Sequence, residues 1–304
     1  LEAGITVLLG SPIASVNENG PTVLLEDGRS MKADLVVGAD GIRSRCRKSI
    51  LKDHDVEAMD SPNCAYRATV PGEVMNSDPV IAHLMTDTDS NLWMGHERHV
   101  IGYPIRNGEL YNLVMSHPGK ASVGKWNEPG NPDEMRAQYS NWDPIIQRVL
   151  THVTHCLKWK LAYLPPLEKW VSDNGQVVVI GDAAHGMVPY LAQGAAVSIE
   201  DGVSLAACVD RAEDISDLSK LLLAFQAIRK PRCETVSGSA LENGDIWHMP
   251  DGPEQKQRDH EMRRKMDGTL ESNENPNIWN NKAFATWLFG YDTEKEVSNW
   301  IPST

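Results

Sequence analysis

Apolar positions fall into short runs over the first forty or so residues. Ile5 to Leu9, Ile13 to Val16 and Thr22 to Leu25 each cluster apolar side chains between Gly, Asn, Asp or Pro, which predicts three strands. Asn19-Gly20 and Asp27-Gly28 are the turn dipeptides between such strands. Ala33 to Gly38 is a shorter apolar stretch that predicts a strand covered on both faces. It runs into Gly38-Ala39-Asp40-Gly41 and then an Arg-rich helical segment.

Residues 61–118 predict a separate antiparallel sheet with strands at Cys64–Val70, Val80–Met85, Leu92–Met94, His99–Pro104 and Leu110–His117. A helical period covers Asp133–Leu157 and is stopped by Pro165-Pro166. Val177 to Ile180 is again a buried-strand run, followed by Gly181-Asp182-Ala183-Ala184-His185 and a Gly/Ala-rich helix to about Val209. Leu218–Ile228 predicts another helix, and Gln255–Met266, charged on most faces, a solvated one. Trp279, Trp287, Leu288 and Trp300 predict packed structure towards the end, and no internal repeat is present.

Composition narrows the class. With 304 residues the chain has room for about two domains, and its 41% hydrophobic and 23% charged content sets aside collagen-like, coiled-coil and disordered chemistry. The formal net charge is −13, and no Lys/Arg cluster exceeds the Met262–Met266 segment, so a phosphate-neutralising footprint for nucleic acid is missing. The most apolar region, Val177 to Ile199, carries Asp182, His185 and Gln193, so no transmembrane segment is predicted. Five Cys (46, 64, 156, 208 and 233) form no C-x-x-C pair and are odd in number, which predicts reduced thiols and a cytoplasmic location. The first residue is Leu and no signal-like start follows, so the chain is expected to begin inside a longer reading frame.

Two segments carry chemistry. In Gly181-Asp182-Ala183-Ala184-His185, with Pro189 and Gln193-Gly194-Ala195-Ala196 beyond, an acidic residue directly after a strand can accept hydrogen bonds from a hydroxyl chain. The helix that starts there directs unpaired N–H groups and a positive dipole end at an electron-rich ligand. In Gly38-Ala39-Asp40-Gly41-Ile42-Arg43-Ser44-Arg45-Cys46-Arg47 a strand again enters a Gly turn and a cationic helix, suited to ribose hydroxyls and phosphates. Each alone occurs by chance in α/β proteins; together they occupy the strand C-terminal ends where open α/β sheets bind ligands.

The pair resembles the second and third fingerprints of the FAD-dependent aromatic hydroxylases, single-component flavoprotein monooxygenases similar to salicylate hydroxylase and p-hydroxybenzoate hydroxylase. The resemblance implies an α/β fold of the FAD/NAD(P)-binding, p-hydroxybenzoate hydroxylase type, N-terminally incomplete, with an inserted mixed β-sheet substrate domain. Residues 1–56 and 171–229 would form the FAD domain, 57–170 the substrate domain and 230–304 a C-terminal helical region. By the same match Asp40, Gly41, Arg43, Ser44 and Arg47 serve FAD and the nicotinamide cosubstrate NAD(P)H. Gly181 and Asp182 would meet the ribityl chain, and Pro189, Gln193, Gly194 and Ala195 would lie along the isoalloxazine ring. Weaker matches, Ala65-Tyr66-Arg67 with Thr69-Val70-Pro71, His99 to Pro104, and Trp287 to Asp292, follow in order in the manner of the fungal salicylate-hydroxylase-like branch.

The implied activity is hydroxylation of a phenolic or otherwise activated aromatic ring with NAD(P)H and O2 through a flavin C4a-hydroperoxide. Arg67 would lower the pKa of a substrate hydroxyl and Tyr103 relay its proton; the competing readings are a structural ion pair and a packed aromatic. No metal is implied: His152/His155 and His96/His99 have i,i+3 spacing without a third ligand and are expected to be surface residues. His185 is expected to be a structural hydrogen-bonding residue and Cys64 a buried one, while Trp93 packs or faces a substrate. The family's first fingerprint, Gly-x-Gly-x-x-Gly, is absent from these 304 residues. The alternatives are therefore a truncated, flavin-free, inactive relative, or an interaction module acting through the acidic surface.

Overall fold

The computed structural model describes residues 4–86, 90–121, 128–266 and 275–301. In chain order the strands and helices are β1 (Ile13–Asn17), β2 (Thr22–Leu25), β3 (Ser30–Lys32), β4 (Val36–Gly38), α1 (Arg45–Leu51), β5 (Met59–Pro71), α2 (Gly72–Ser77), β6 (Asn91–Gly95), β7 (Arg98–Ile105) and β8 (Leu110–Pro118). There follow β9 (Glu128–Gly130), α3 (Pro132–Ala137), α4 (Pro144–Thr151), β10 (Cys156–Tyr163), β11 (Val177–Val179), α5 (Asp182–His185), α6 (Gly194–Val209), α7 (Leu218–Trp247), α8 (Pro253–Met266), α9 (Lys282–Phe289) and α10 (Thr293–Trp300). They group into two compact units. One comprises Leu1–Met59, Ala162–Leu241 and Thr286–Thr304, the other Asp60–Leu161 and Glu242–Ala285.

In the first unit β1, β2 and β3 form an antiparallel meander, with Val16 opposite Val23 and Asn17 opposite Thr22. Beside it β4 and β11 pair in parallel, Val177 against Val36 and Val179 against Gly38. A parallel pair cannot be closed by a tight turn, so the chain makes a long excursion between them. All three β11 valines are fully buried, as a continuous apolar run predicts. In β4, however, Val37 is 41% exposed, so that strand is covered on one face only. A Cβ at Gly38 would lie 2.3 Å from the Cβ of Cys46, so glycine is what lets α1 settle against the strand end.

The second unit is built on a six-stranded sheet of order β6-β7-β8-β5-β10-β9. One face carries Tyr66, Val70, Val100, Tyr111, Leu113 and Met115, packed on Met75, Ile81, Met135, Ile146 and Val149 from the helices and turns beneath. Removing each such side chain from water is worth about 1.5–3 kcal/mol, so this layer dominates the unit's stability. Trp93 lies on this core face, directly opposite Val100. Of its two readings, packing and a substrate-facing position, the structure bears out packing.

Four other expectations differ from the structure. Ile5 to Leu9 form no strand, and Leu9 is 89% exposed; a strand-like pattern needs a partner strand to become one. Val80–Met85 is a turn and a 3-10 helix, because the Asp78 carboxylate accepts the Val80 N–H (3.1 Å) and its carbonyl accepts those of Ile81 and Ala82. Asp133–Leu157 is two helices and the start of a strand, since Asp143 caps α4 and Pro144 occupies its first position. The Leu218 helix does not end near Ile228 but continues through Pro231 to Trp247.

Candidate active site

The two turns predicted to bind a ligand stand side by side at the C-terminal ends of β4 and β11, and the Ile180 N–H donates to the Gly38 carbonyl (3.0 Å). In the first turn Ser44 is the N-cap of α1, accepting the Arg47 N–H at 2.8 Å and donating to Asp40 Oδ1 at 2.5 Å. The Asp40 carboxylate also accepts the N–H groups of Arg45 (2.7 Å) and Cys46 (3.2 Å), so it fastens the first turn of α1. Arg47 is buried; it donates to Ile42 O (2.8 Å) and Ala183 O (3.3 Å) and pairs with Asp55 (3.0 Å). Ser44 and Arg47 therefore hold the turn from within, whereas the exposed Arg43 guanidinium forms no ion pair among the described residues. Gly41 supplies the turn itself.

In the second turn Gly181 takes φ +59° and ψ −144°, a conformation essentially restricted to glycine. That places Asp182 on the surface at the start of α5, where its carboxylate accepts no hydrogen bond from a described residue. Pro189 opens a 3-10 turn, Ala192 adopts a left-handed φ of 51°, and Gln193 begins α6 without a side-chain cap. The first intrahelical donor of α6 is the Val197 N–H to Gln193 O (3.0 Å). The amides of Gly194, Ala195 and Ala196 are thus left pointing out of a sixteen-residue helix. A free carboxylate beside an uncapped helix N-terminus flanked by small side chains fits a flavin. The carboxylate suits its hydroxyl chain and the amides its ring oxygens.

Behind this surface is a buried ionic cluster of which sequence reasoning found only the outline: His185 as a structural hydrogen-bonding residue, with Glu200-Asp201 noted after the motif but given no role. Asp201, on α6, is wholly buried and accepts the Gly181 N–H (3.0 Å). His185 Nε2 lies at 2.6 Å and Arg229 Nε at 2.9 Å from the same carboxylate. Burial raises its pKa, but His185, Arg229 and the Gly181 amide outweigh that and hold it below the ordinary value. Arg229 Nη2 also bonds Glu200 (2.7 Å), which in turn pairs with Arg232. His185, Asp201 and Cys233 are close enough to share a metal ion, but Arg229 already engages two of the three, with Nε 2.9 Å from Asp201 Oδ1 and Nη2 3.7 Å from the Cys233 sulfur.

In the second unit the sheet face opposite the core carries Arg67 and Tyr103. Arg67 stands opposite Val114 and Val114 opposite Ile101; in the next row Thr69 faces Asn112 and Asn112 faces Tyr103. The two residues therefore share a face, with β8 between their strands. Arg67 is exposed, its Nε 3.4 Å from Asn112 Oδ1, and Tyr103 is half-buried. On β5 to β8 this face holds no carboxylate, and Arg67 forms no ion pair among the described residues.

Of the four histidines at i,i+3 spacing, His96 and His155 are exposed and His152 pairs with Asp78 (3.0 Å). His99 is buried, correcting its reading as a surface residue, and its Nδ1 lies 2.7 Å from His248 Nε2. All five cysteines are free and buried. Burial pushes the Cys46 thiol up to about 12, with Asp40 adding to the shift.

Two glycine turns at adjoining parallel strand ends, one with a free carboxylate and an open helix terminus, define a dinucleotide-cofactor protein of the flavin-binding class. A family described as an FAD binding domain matches residues 14–239. The FAD-dependent monooxygenase OpS4 of Beauveria bassiana (strain ARSEF 2860) is 33% identical over 302 residues, covering 99% of this chain and 70% of that protein. The 3-amino-4-hydroxybenzoate 2-monooxygenase of Streptomyces cremeus is 32% identical over 266 residues, covering 86% and 63%. A solved salicylate hydroxylase substrate complex matches with a TM-score of 0.81 and 25% identity, covering 100% of this chain and 73% of that one. This chain belongs to the FAD-dependent monooxygenases of the aromatic hydroxylase type, and FAD is its cofactor. It spans roughly two thirds of the length of these relatives. Among the described residues, no helix is long and apolar enough to cross a membrane.

Proposed function

We propose that the chain hydroxylates a phenolic or otherwise activated aromatic substrate, using NAD(P)H as reductant and O2 as the oxygen source. The observation that carries this reading is the free Asp182 carboxylate after the Gly181 turn, which packs on Ser198 and bonds Asp201 of α6, together with the uncapped amides of Gly194 to Ala196 that open that helix. When bound, FAD accepts electrons from the nicotinamide and activates oxygen for transfer to the ring.

The remaining roles belong to the chain's own residues. Asp182 accepts hydrogen bonds from the ribityl hydroxyls, and the α6 amides stabilise negative charge on the flavin ring as an oxyanion hole would. Arg43 meets phosphate, with Gly41 giving the backbone its turn, while Asp40, Ser44 and Arg47 keep that turn in shape. Pro189 and Gln193 shape the edge along which the ring lies. Arg67 attracts the substrate oxygen, favours its ionised form and so makes the ring more nucleophilic; the Tyr103 hydroxyl exchanges the proton. Domain boundaries near residues 56, 170 and 229 belong to the same reading.

A titration of the protein with FAD, followed by NAD(P)H oxidation across a panel of phenols with product analysis, tests this. Saturable flavin binding and a hydroxylated product are the expected result. Absence of flavin binding, or bound flavin with no oxygenated product from any phenol, would overturn it.

A further inference from the structure

Two short segments of the first unit, Gly181–Asp182 and the start of α6, would meet the ribityl chain and ring, and nothing in their own backbone ties them together. One carboxylate does. Asp201 lies two turns into α6, and its Oδ2 accepts both the amide that opens the Gly181 turn and, from the end of α5, the ring of His185. A carboxylate offers only acceptors, so the His185 Nε2 carries the hydrogen. The second oxygen, Oδ1, is held from behind by Arg229 Nε, which fixes the orientation of the carboxylate. The turn is thus pinned at its first and last residues to the same helix whose N-terminal amides point outwards.

We propose that Asp201 is a positioning residue for the cofactor, with His185 acting through it: the pair sets the distance and angle between the Asp182 carboxylate and the α6 amides. The inference rests on the flavin reading above. His185 is buried with Nε2 engaged by Asp201, so it neither touches the substrate nor serves as a base. Asp201 and Cys233 are engaged instead by the Arg229 guanidinium, whose positive charge disfavours a cation there. Glycine at φ +59° has no side chain to restrict it, so the direction of the turn rests on the anchor at Asp201.

Substitution separates positioning from mere packing. In Asp201→Asn one carboxylate oxygen becomes an N–H2 group, so the side chain gives up either the Gly181 and His185 donors or the Arg229 bond that orients it, while Arg229 keeps Glu200 and the Val197 carbonyl as partners. His185→Gln retains a donor that can reach Asp201, whereas His185→Leu retains shape without a donor. Three measurements are made on each full chain. They are hydrogen exchange of the Gly181 amide in the FAD-free protein, FAD affinity by quenching of flavin fluorescence, and the visible spectrum and reduction potential of the bound flavin.

Asp201→Asn and His185→Leu are expected to lose protection at Gly181, to bind FAD at least tenfold more weakly and to shift its spectrum and potential. His185→Gln is expected to stay within about threefold of the wild type. Unchanged Gly181 protection together with an unchanged flavin spectrum in a folded Asp201→Asn chain overturns the proposal. Should that variant not fold, equal FAD affinity and spectrum in His185→Leu and His185→Gln overturns it instead. A wild-type chain that binds no FAD defeats the functional reading and this inference's cofactor role, while Gly181 exchange in the FAD-free protein still reads the anchor by itself.

Discussion

Arg47, in the first turn, donates from Nη1 to the carbonyl of Ala183 in the second, 136 residues further along the chain. The same nitrogen donates to Ile42 O, and Nε pairs with Asp55, so a single buried guanidinium joins both glycine turns to the segment after α1. Removing it leaves two carbonyls and a half-buried carboxylate without a partner. Arg47→Ala is expected to destabilise the chain by about 2–4 kcal/mol and to weaken FAD binding as a consequence. Chemical denaturation checks this. A variant that unfolds like the wild type but has lost FAD would show that Arg47 touches the cofactor instead.

Asp182 presents the opposite case. It is exposed and has no partner to lose, so Asp182→Ala is expected to leave the unfolding curve in place and to lower FAD affinity by tenfold or more. Flavin fluorescence titration beside a thermal melt separates the two effects. Wild-type affinity in this variant removes the ribityl-contact assignment.

Arg67 belongs to the other unit, and its substitution should spare the cofactor. In Arg67→Ala the bound flavin and its spectrum are expected to persist, while turnover of a phenolic substrate falls at least a hundredfold, most steeply at low pH where the phenol is neutral. Steady-state NAD(P)H oxidation with product quantification from pH 6 to 9 provides the check. A rate and pH profile equal to the wild type would return Arg67 to a structural role. Tyr103→Phe, on the same face, should lower turnover by a smaller factor with the flavin retained.

The parts of the molecule legible in sequence are those written in local chemistry. Gly41 and Gly181 mark turns that other residues cannot make, Val177 to Val179 read as a buried strand because they are continuous, and Gly194 with its alanines marks an open helix start. What escaped the sequence is decided by partners far along the chain. Asp201 is one acidic residue among several until the helix shows which face carries it, and His99 reads as a surface residue until His248, 149 positions away, is seen against it. The Ile5 to Leu9 run and Val80 to Met85 failed for the converse reason: their strand-like pattern was real, but neither has a neighbouring strand to turn pattern into ladder.

The buried histidine pair makes the second unit acid-sensitive. His99 Nδ1 and His248 Nε2 are 2.7 Å apart, so one must donate and the other accept, which requires at least one neutral ring. Asn63 Nδ2 lies 3.5 Å from the other ring nitrogen of His248, the Trp247 ring packs edge-on against His99, and Glu97 donates its N–H to the His248 carbonyl. Burial, with His248 adding to it, pushes His99 well below the usual histidine range, and burial pushes His248 down to about 4. In the unfolded chain both return to about 6.5. Protons therefore bind the unfolded state more readily. The stability this pair contributes is complete above about pH 6.5 and is lost progressively as pH falls from there towards 4. Asp78, held down to about 2 by its hydrogen bond to His152 and by Arg148, titrates below that window and does not produce the same loss. His117, also lowered to about 4, adds to it in the same direction. Denaturation midpoints measured from pH 7.5 to 4.5 are expected to fall for the wild type and to fall less in His248→Gln, which removes one titrating ring and keeps a hydrogen-bonding group for His99. The expected difference between the two chains across that range is on the order of 2 kcal/mol. Parallel curves for the two would place the acid sensitivity elsewhere, with His117→Gln the variant to compare next.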